Sequence, residues 1–105
     1  MQRSKFLNDF LVEIGRIVRS RAGRDKDRFF IICEIKNEEY VYISDGDYRK
    51  LCQPKLKKLR HLALTSIVLD SIKEKFDGEK KVFDEELRSA IMKAGYNDSG
   101  DERGV

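Results

Sequence analysis

The amino-acid sequence predicts a mainly β fold, a small antiparallel barrel, followed by two short α-helices. Residues 29–35 and 40–43 form short apolar runs rich in β-branched and aromatic side chains, which is typical of strands. A third run, containing Ile14, Ile17 and Val18, precedes them and leads into a turn at Gly23. Beyond Thr65 the apolar residues recur at helical spacing instead.

Length and composition favour one folded domain with an anionic partner. The chain has 105 residues, of which 40% are hydrophobic and 39% are charged, so a modest core is expected and global disorder is not. Residues 1–61 hold 15 Lys and Arg against 9 Asp and Glu, a net charge of +6. Residues 62–105 hold 7 against 10, a net charge of −3. Such polarity favours an anionic partner on the basic side.

The chain divides into four predicted segments. They are an N-terminal extension (1–10), a barrel (11–65), a helical segment (66–96) and a tail predicted to be disordered (97–105). Within the extension, Phe6, Leu7 and Phe10 have helical spacing and predict the start of a helix. Because the sequence contains no apolar run of membrane-spanning length and no signal-peptide pattern, we expect a cytoplasmic protein.

Polar turns and one ambiguous stretch complete the predicted barrel. Residues 36–39 are a polar reversal, and residues 44–47 (Ser-Asp-Gly-Asp) carry a strong turn signal. Residues 54–62 are harder to assign, because Leu56, Leu59 and Leu62 recur every third residue. That spacing suits a helix face as well as an irregular strand, and periodicity alone does not decide between them.

Two amphipathic helices are predicted in the last third of the chain. Thr65 or Ser66 is the expected N-cap of the first helix, which ends at residues 77–78 (Asp-Gly). Asp84 is the expected N-cap of the second helix, and Gly95 is its expected C-cap. The apolar faces consist of Val68, Ile72 and Phe76 in the first helix and of Leu87 and Ile91 in the second.

Five segments of the sequence carry a resemblance to a known family: residues 14–18, 22–26 and 30–35, a second turn at 45–51 and an exit at 62–65. In these segments the sequence resembles the KOW-domain RNA-binding proteins of bacteria, which are related to KOW-containing large-subunit ribosomal proteins of archaea and eukaryotes. The resemblance covers about residues 12–66 and implies an SH3-like barrel that binds RNA. It also favours a strand over a helix for residues 57–62. The sequence departs from the family at Asp27, where many KOW turns have glycine.

Two basic clusters and one tyrosine are the candidate RNA contacts. The first cluster consists of Arg16, Arg19, Arg21, Arg24, Lys26 and Arg28, opposed only by Asp25 and Asp27. The second consists of Arg49, Lys50, Lys55, Lys57, Lys58 and Arg60, with no acid between them. We expect both clusters to project near one rim of the barrel, where cations neutralise phosphates and release counterions. Tyr48 is a candidate platform for stacking an unpaired base.

Each candidate also has a purely structural interpretation. The first cluster is, alternatively, the solvated surface of a charge-rich protein. The second cluster can instead pair with the acidic C-terminal helices, in which case Glu85 and Glu86 would mask it and tune the RNA affinity. Tyr48 can equally cover an edge of the barrel.

The residues give no support for catalysis, a cofactor or a metal site. The single histidine, His61, has no partner spacing typical of a triad or a metal centre. The paired carboxylates at 25/27 and 45/47 are interpreted as turn formers. Cys33 is expected to be a buried thiol, and Cys52 lies in a basic segment that can lower the pKa of a thiol.

The leading functional hypothesis is an RNA-binding protein of the translation apparatus, bound to structured RNA such as ribosomal RNA. No residues are set up to read base edges, so recognition by shape is expected. The alternative is a protein-interaction module that docks a transcription or ribosome-associated partner through the apolar faces of its C-terminal helices. A third hypothesis, non-specific DNA binding, predicts similar affinities for duplex DNA and RNA.

Overall fold

The computed structural model describes residues 5–97 as seven β-strands in two sheets, followed by two α-helices. The strands are β1 (Phe6–Leu7), β2 (Phe10–Leu11), β3 (Arg16–Ser20), β4 (Phe29–Ile35), β5 (Tyr40–Ser44), β6 (Lys55–Lys58) and β7 (Leu62–Val68), and the helices are α1 (Asp70–Asp77) and α2 (Asp84–Lys93). A short 3-10 helix, Leu59–His61, joins β6 to β7. The mainly β class with two C-terminal helices is confirmed. The predicted disordered tail lies outside the described residues, except for Asn97.

Five strands form one antiparallel sheet in the order β6-β5-β4-β3-β7. Its central strand, β4, is the apolar run of residues 29–35, and Phe30, Ile31 and Ile32 on it are fully buried. Consecutive side chains of a strand point to opposite faces, so burial of all three means that both faces of the sheet are covered. This confirms the strand predicted from the continuous apolar pattern.

The two faces of the sheet support separate hydrophobic cores. On one face Val18 and Phe30 pack with residues of β5, the 3-10 helix and β7. On the other face Ile17 and Ile31 contact Ile72 of α1 and Leu87 of α2, and Ile91 belongs to the same cluster. The apolar sides of both helices therefore cover the sheet. No helix within residues 5–97 is long and apolar enough to cross a membrane.

The N-terminal extension contains a hairpin, so the helix predicted there is wrong. Strand β1 pairs with β2 through the registers Phe6↔Leu11 and Leu7↔Phe10. Asn8 and Asp9 between them have φ of 54° and 73°, the left-handed pair that defines a tight hairpin turn. Asparagine and aspartate tolerate this conformation better than most residues, and the turn they form outweighs the helical spacing of the neighbouring apolar side chains.

Strand β7 continues past the predicted start of the first helix. Leu64 pairs with Val18, and Val68 pairs with Arg16, so the sheet extends to residue 68 and the predicted caps Thr65 and Ser66 lie within a strand. The Thr65 hydroxyl donates to the Ile17 carbonyl across the strand pair instead of capping a helix. The ambiguous stretch 54–62 divides into a strand and a single 3-10 turn.

The second helix has the predicted length but a different N-terminal arrangement. Its N-cap residue is Phe83, and the carboxylate of Asp84 accepts the backbone N–H of Leu51 at 2.8 Å rather than capping the helix. At the other end Gly95 has φ of 97°, and the N–H groups of Gly95 and Tyr96 bond back to Met92 and Ile91. This is a Schellman arrangement, which agrees with the predicted glycine C-cap.

Candidate nucleic-acid interface

Two loops lie at the same end of the five-stranded sheet. The first loop, residues 21–28, joins β3 to β4, and the second loop, residues 45–54, joins β5 to β6. Successive connections of an antiparallel meander alternate between its two ends, so these loops are neighbours and the 36–39 turn lies at the opposite end. Most of the predicted RNA contacts lie on these two loops.

Crossed ion pairs hold the two loops together. Arg28 of the first loop donates from Nε to Asp45 at 2.5 Å and from a terminal nitrogen to Asp47 at 3.2 Å. In the reverse direction, Arg49 of the second loop donates from Nε to Asp25 at 2.9 Å. Since Asp25 and Asp45 are both buried, each arginine compensates a carboxylate that is otherwise costly to remove from water.

Asp45 organises the second loop as well as binding the first. One of its carboxylate oxygens accepts the backbone N–H groups of Asp47 and Arg49, and the other accepts Arg28. The hydroxyl of Ser44 donates to the Arg49 carbonyl at 2.6 Å and closes the same turn. The Asp45 side chain therefore acts as a turn former, which agrees with the interpretation of the 45/47 carboxylate pair as turn formers.

Lys57 is a buried connector between β6 and the first loop. Its Nζ donates to the carbonyl of Ala22 at 2.9 Å. Burial lowers the pKa of this amine, and the positive charges of Lys55 and Arg49 add to that effect, whereas Asp25 opposes it. Lys57 is thus held inside the structure and is not exposed for a phosphate contact.

The ion pairs separate the predicted contacts into two groups. Arg28, Arg49 and Lys57 hold the loops together. Five other cations at this end are exposed and form no ion pair within residues 5–97: Arg21, Arg24, Lys26, Lys50 and Lys55. Together with Tyr48 they are called the basic rim below. Unpaired, solvated cations gathered at one end of the sheet attract the negatively charged phosphate backbone of a nucleic acid.

Tyr48 projects from the second loop into solvent. Its side chain is 64% exposed, so it does not cover an edge of the sheet. The guanidinium carbon of Arg28 lies 3.8 Å from the centre of the tyrosine ring, a close cation–π contact. Arg28 and Tyr48 line a shallow cleft together with Arg24 and Lys26.

The remaining members of the two clusters lie elsewhere. Lys58 pairs with Tyr40 at the far end of β5, and Lys58 and Arg60 share a cleft with Glu38 and Glu39. The second cluster therefore does not project near one rim as a whole, because β6 runs along β5 from the loop end, where Lys55 lies, to the far end, where Lys58 lies.

The first cluster contains two further arginines that bind to acidic side chains. Arg16 is buried, donates to the carbonyls of Leu11 and Thr65, and pairs with Glu13 at 2.9 Å. Arg19 pairs with Asp27 at 2.9 Å on the exposed side of the first loop. Arg16 therefore has a structural role, while Arg19 stays near the basic rim but is partly neutralised.

Helix α2 supports the second loop from behind. A β-carbon added to Gly46, which has φ of 78°, would lie 2.2 Å from the carbonyl oxygen of Asp84. This close approach requires glycine, and the bond from Leu51 to Asp84 fixes the other side of the loop. Arg88 of α2 and Asn97, which follows the helix, line a second cleft beside Tyr48.

Sequence reasoning missed these two residues because they lie on the acidic part of the chain. Arg88 makes no ion pair with another described residue, and the side chain of Asn97 both donates to and accepts from the backbone of Phe29. The helical period of 3.6 residues, counted from the buried Leu87 and Ile91, predicts that Arg88 lies beside the inward face of α2. It does not predict which loop Arg88 contacts.

The acidic helices form no ion pair with the second cluster within residues 5–97, although Lys50 shares a cleft with Glu85. Glu86 pairs with Lys75 of α1 at 2.6 Å, and no ion pair in the described part of the chain joins α1 or α2 to the cations of residues 49–60. The apolar faces proposed for protein docking are also engaged, because Ile72, Leu87 and Ile91 are buried against the sheet.

The two cysteines differ in exposure, and neither belongs to a metal cluster. Cys33 is half-buried, donates to the Tyr42 carbonyl, and has its pKa raised to about 12 by burial, so its thiol stays protonated. Cys52 is exposed. Across residues 5–97, no group of three or more His, Cys, Asp or Glu side chains is placed to hold a metal ion.

No model of a known protein family matches the chain.

Proposed function

We propose that this protein binds structured RNA through the basic rim. The observation that carries the proposal is the separation of charges at one end of the sheet. Asp25, Asp45 and Asp47 bind Arg28 and Arg49, and the five cations of the basic rim stay exposed at the same end of the sheet. Internal ion pairs thus stiffen the surface without neutralising it, which suits a surface that contacts phosphates.

We further propose that the five-stranded sheet is an SH3-like barrel of the KOW type. The strand order β6-β5-β4-β3-β7, with a 3-10 turn between the two edge strands, supports this proposal. Contacts from Lys57 to Ala22 and from Arg21 to His61 bring those edge regions towards the β3–β4 loop. Asp27, where many KOW turns have glycine, has φ of 72°, a left-handed conformation that glycine adopts without steric cost.

The nature of the contacts favours recognition of RNA shape over base sequence. Lysine and arginine on exposed loops neutralise phosphates, and phosphate contacts position a protein without reading bases. Ribosomal RNA is rich in structured elements that a protein can recognise by shape. We therefore propose a cytoplasmic role in the translation apparatus, on the ribosome or during its assembly. The buried apolar faces of α1 and α2 do not favour the alternative role in protein docking.

A titration with a matched control tests the proposal. The rim variant replaces Arg24, Lys26 and Lys55 with glutamine, and the control variant makes the same change at Lys5, Lys36 and Lys80, which are exposed and lie outside the basic rim. Binding to a fluorescent RNA stem-loop is measured at several salt concentrations. We expect the rim variant to lose at least about tenfold in affinity and about three units of salt slope, while the control variant stays close to the wild type.

Three results would contradict the proposal. They are absence of RNA binding at low salt, equal losses in the two variants, and equal wild-type affinity for a DNA duplex of the same length. The ribosomal part is checked with the same three proteins by sedimentation through sucrose gradients with large ribosomal subunits. Co-sedimentation that is lost in the rim variant and at high salt supports it, and wild-type protein that stays at the top of the gradient contradicts it.

A further inference from the structure

We propose that the basic rim takes an unpaired RNA base, stacked on the open face of Tyr48. The ligand is then a duplex interrupted by an unpaired nucleotide, not a continuous duplex. This inference rests on the proposed function and adds the class of RNA that the surface selects. The juxtaposition that carries it is an exposed aromatic ring, held by Arg28, beside two clefts that contain unpaired cations.

The Tyr48 ring is held in place from one side only. Arg28 lies 3.8 Å from the ring centre, and Arg28 is itself fixed by Asp45 and Asp47. Within residues 5–97, no other cation or aromatic ring stacks on Tyr48. The side chain therefore loses little conformational freedom when a planar group stacks on its other face, so stacking costs less entropy.

Two clefts beside the ring contain cations that form no ion pair within residues 5–97. One cleft contains Arg24 and Lys26, and the other contains Arg88. The aspartates that also line the clefts are paired with arginines: Asp25 with Arg49, Asp27 with Arg19, and Asp45 and Asp47 with Arg28. A nucleotide stacked on the ring would thus have positive charge available for the phosphates that precede and follow it. This arrangement combines a stacking platform with a charged path for the backbone, as in surfaces that bind unpaired nucleotides.

A continuous duplex leaves Tyr48 without a matching partner. The bases of a paired A-form helix are stacked on each other, and the accessible surface consists of phosphates, sugars and base edges. An aromatic face gains most from contact with another π face, which only an unpaired or terminal base offers. The exposure and the fixation of Tyr48 are therefore both explained by a flipped or bulged base.

The competing explanation is that Tyr48 only supports Arg28 and makes no contact with RNA. Two substitutions separate the explanations. Tyr48→Phe keeps the ring, whereas Tyr48→Leu keeps an apolar side chain beneath Arg28 but removes the π face. Because Tyr48 is 64% exposed, both variants are expected to fold, and thermal melting checks that they do.

The experiment measures affinity for three RNA probes. They are a 16-base-pair duplex, the same duplex with a two-nucleotide bulge, and the bulged duplex in which both bulged nucleotides are abasic. We expect the wild type to bind the bulged duplex about 5- to 150-fold more tightly than the paired and abasic probes, the range expected for stacking of one base. Tyr48→Phe should keep this preference, whereas Tyr48→Leu should bind the bulged, paired and abasic probes with similar affinities.

The inference is overturned if the wild type binds the bulged and abasic probes equally, or if Tyr48→Leu keeps the preference. In either case the proposed function stands as long as the rim variant with Arg24, Lys26 and Lys55 changed to glutamine loses affinity for all three probes. Failure of the wild type to bind any of the probes at low salt contradicts the proposed function itself.

Discussion

Asp27 combines two roles in the first loop. Its backbone is left-handed, with φ of 72°, and its carboxylate pairs with Arg19 on the exposed surface. Aspartate is among the residues that tolerate this conformation, although glycine adopts it without steric cost. The pair with Arg19 is solvent-exposed and contributes at most about 1 kcal/mol. Aspartate at this position therefore keeps the left-handed turn and neutralises one cation beside the basic rim.

Substitutions at Asp27 separate the backbone effect from the charge effect. Asp27→Gly should leave the free energy of unfolding within about 1 kcal/mol of the wild type, whereas Asp27→Ala should be about 1 kcal/mol less stable than Asp27→Gly. Both changes release Arg19 and remove a negative charge, so RNA affinity should rise about twofold to fivefold. Urea denaturation and RNA titration measure the two effects. A glycine variant less stable than the alanine variant would show that the left-handed turn is not retained in solution.

Helix α2 acts as a scaffold for the second loop. Gly46 fits against the carbonyl of Asp84, and the carboxylate of Asp84 accepts the Leu51 N–H. The start of the helix is fixed in turn by Glu86, which accepts the Phe83 N–H at 3.1 Å and Lys75 at 2.6 Å. The position of the second loop, which carries Tyr48, therefore depends on α2. The apolar side of α2 is in turn buried in the core formed with Ile17 and Ile31.

The pH dependence of stability tests the role of Glu86. The hydrogen bond from Lys75, followed by that from the Phe83 N–H, lowers the pKa of Glu86 below its ordinary value of 4.5. A lowered carboxyl pKa stabilises the fold above the ordinary value, and this contribution is lost as the pH falls through the lowered pKa. We expect Glu86→Gln to melt at a lower temperature than the wild type near pH 7, and the difference to shrink below pH 4.5. A difference that does not change with pH would contradict this role of the charge.

The sequence predicts elements whose signal is local. The strands at 29–35 and 40–44 have continuous apolar, β-branched patterns, and the Schellman glycine at 95 follows its helix directly. By contrast, the strand character of β7 comes from pairing with β3, whose residues lie more than 40 positions earlier in the chain. Residues 62–68 are compatible with either structure until that partner is known.

In the candidate site, too, the sequence predicts the local features and not those that depend on tertiary contacts. The basic character of the two loops is visible in the sequence, and the alternation of hairpin ends predicts that the loops meet. Which cations stay free depends on ion pairs between residues 17 to 24 positions apart, such as Arg28 with Asp45 and Arg49 with Asp25. Such pairs are decided by tertiary geometry, so sequence reasoning treated Arg28, Arg49 and Lys57 as equivalent to the free cations.

The two ends of the five-stranded sheet differ in charge. The basic rim carries five exposed cations at the end with the first and second loops, whereas Lys58 and Arg60 at the far end share their cleft with Lys5, Glu38 and Glu39. The helices cover a face of the sheet, and the cations of the basic rim stay exposed beside them. Unpaired positive charge is therefore concentrated at the end with the basic rim, where the potential favours an extended anion most.

RNA binding at the basic rim is tested most directly by titrating ¹⁵N-labelled protein with a bulged RNA duplex and following the NMR chemical shifts of the backbone amides. The wild-type chain is used without substitution, so no variant has to be shown to fold. We expect the largest changes in residues 21–28 and 45–50, and little change in the 36–39 turn and α1. Changes centred on residues 36–39 and 58–60, or no changes at low salt, would contradict RNA binding at the basic rim.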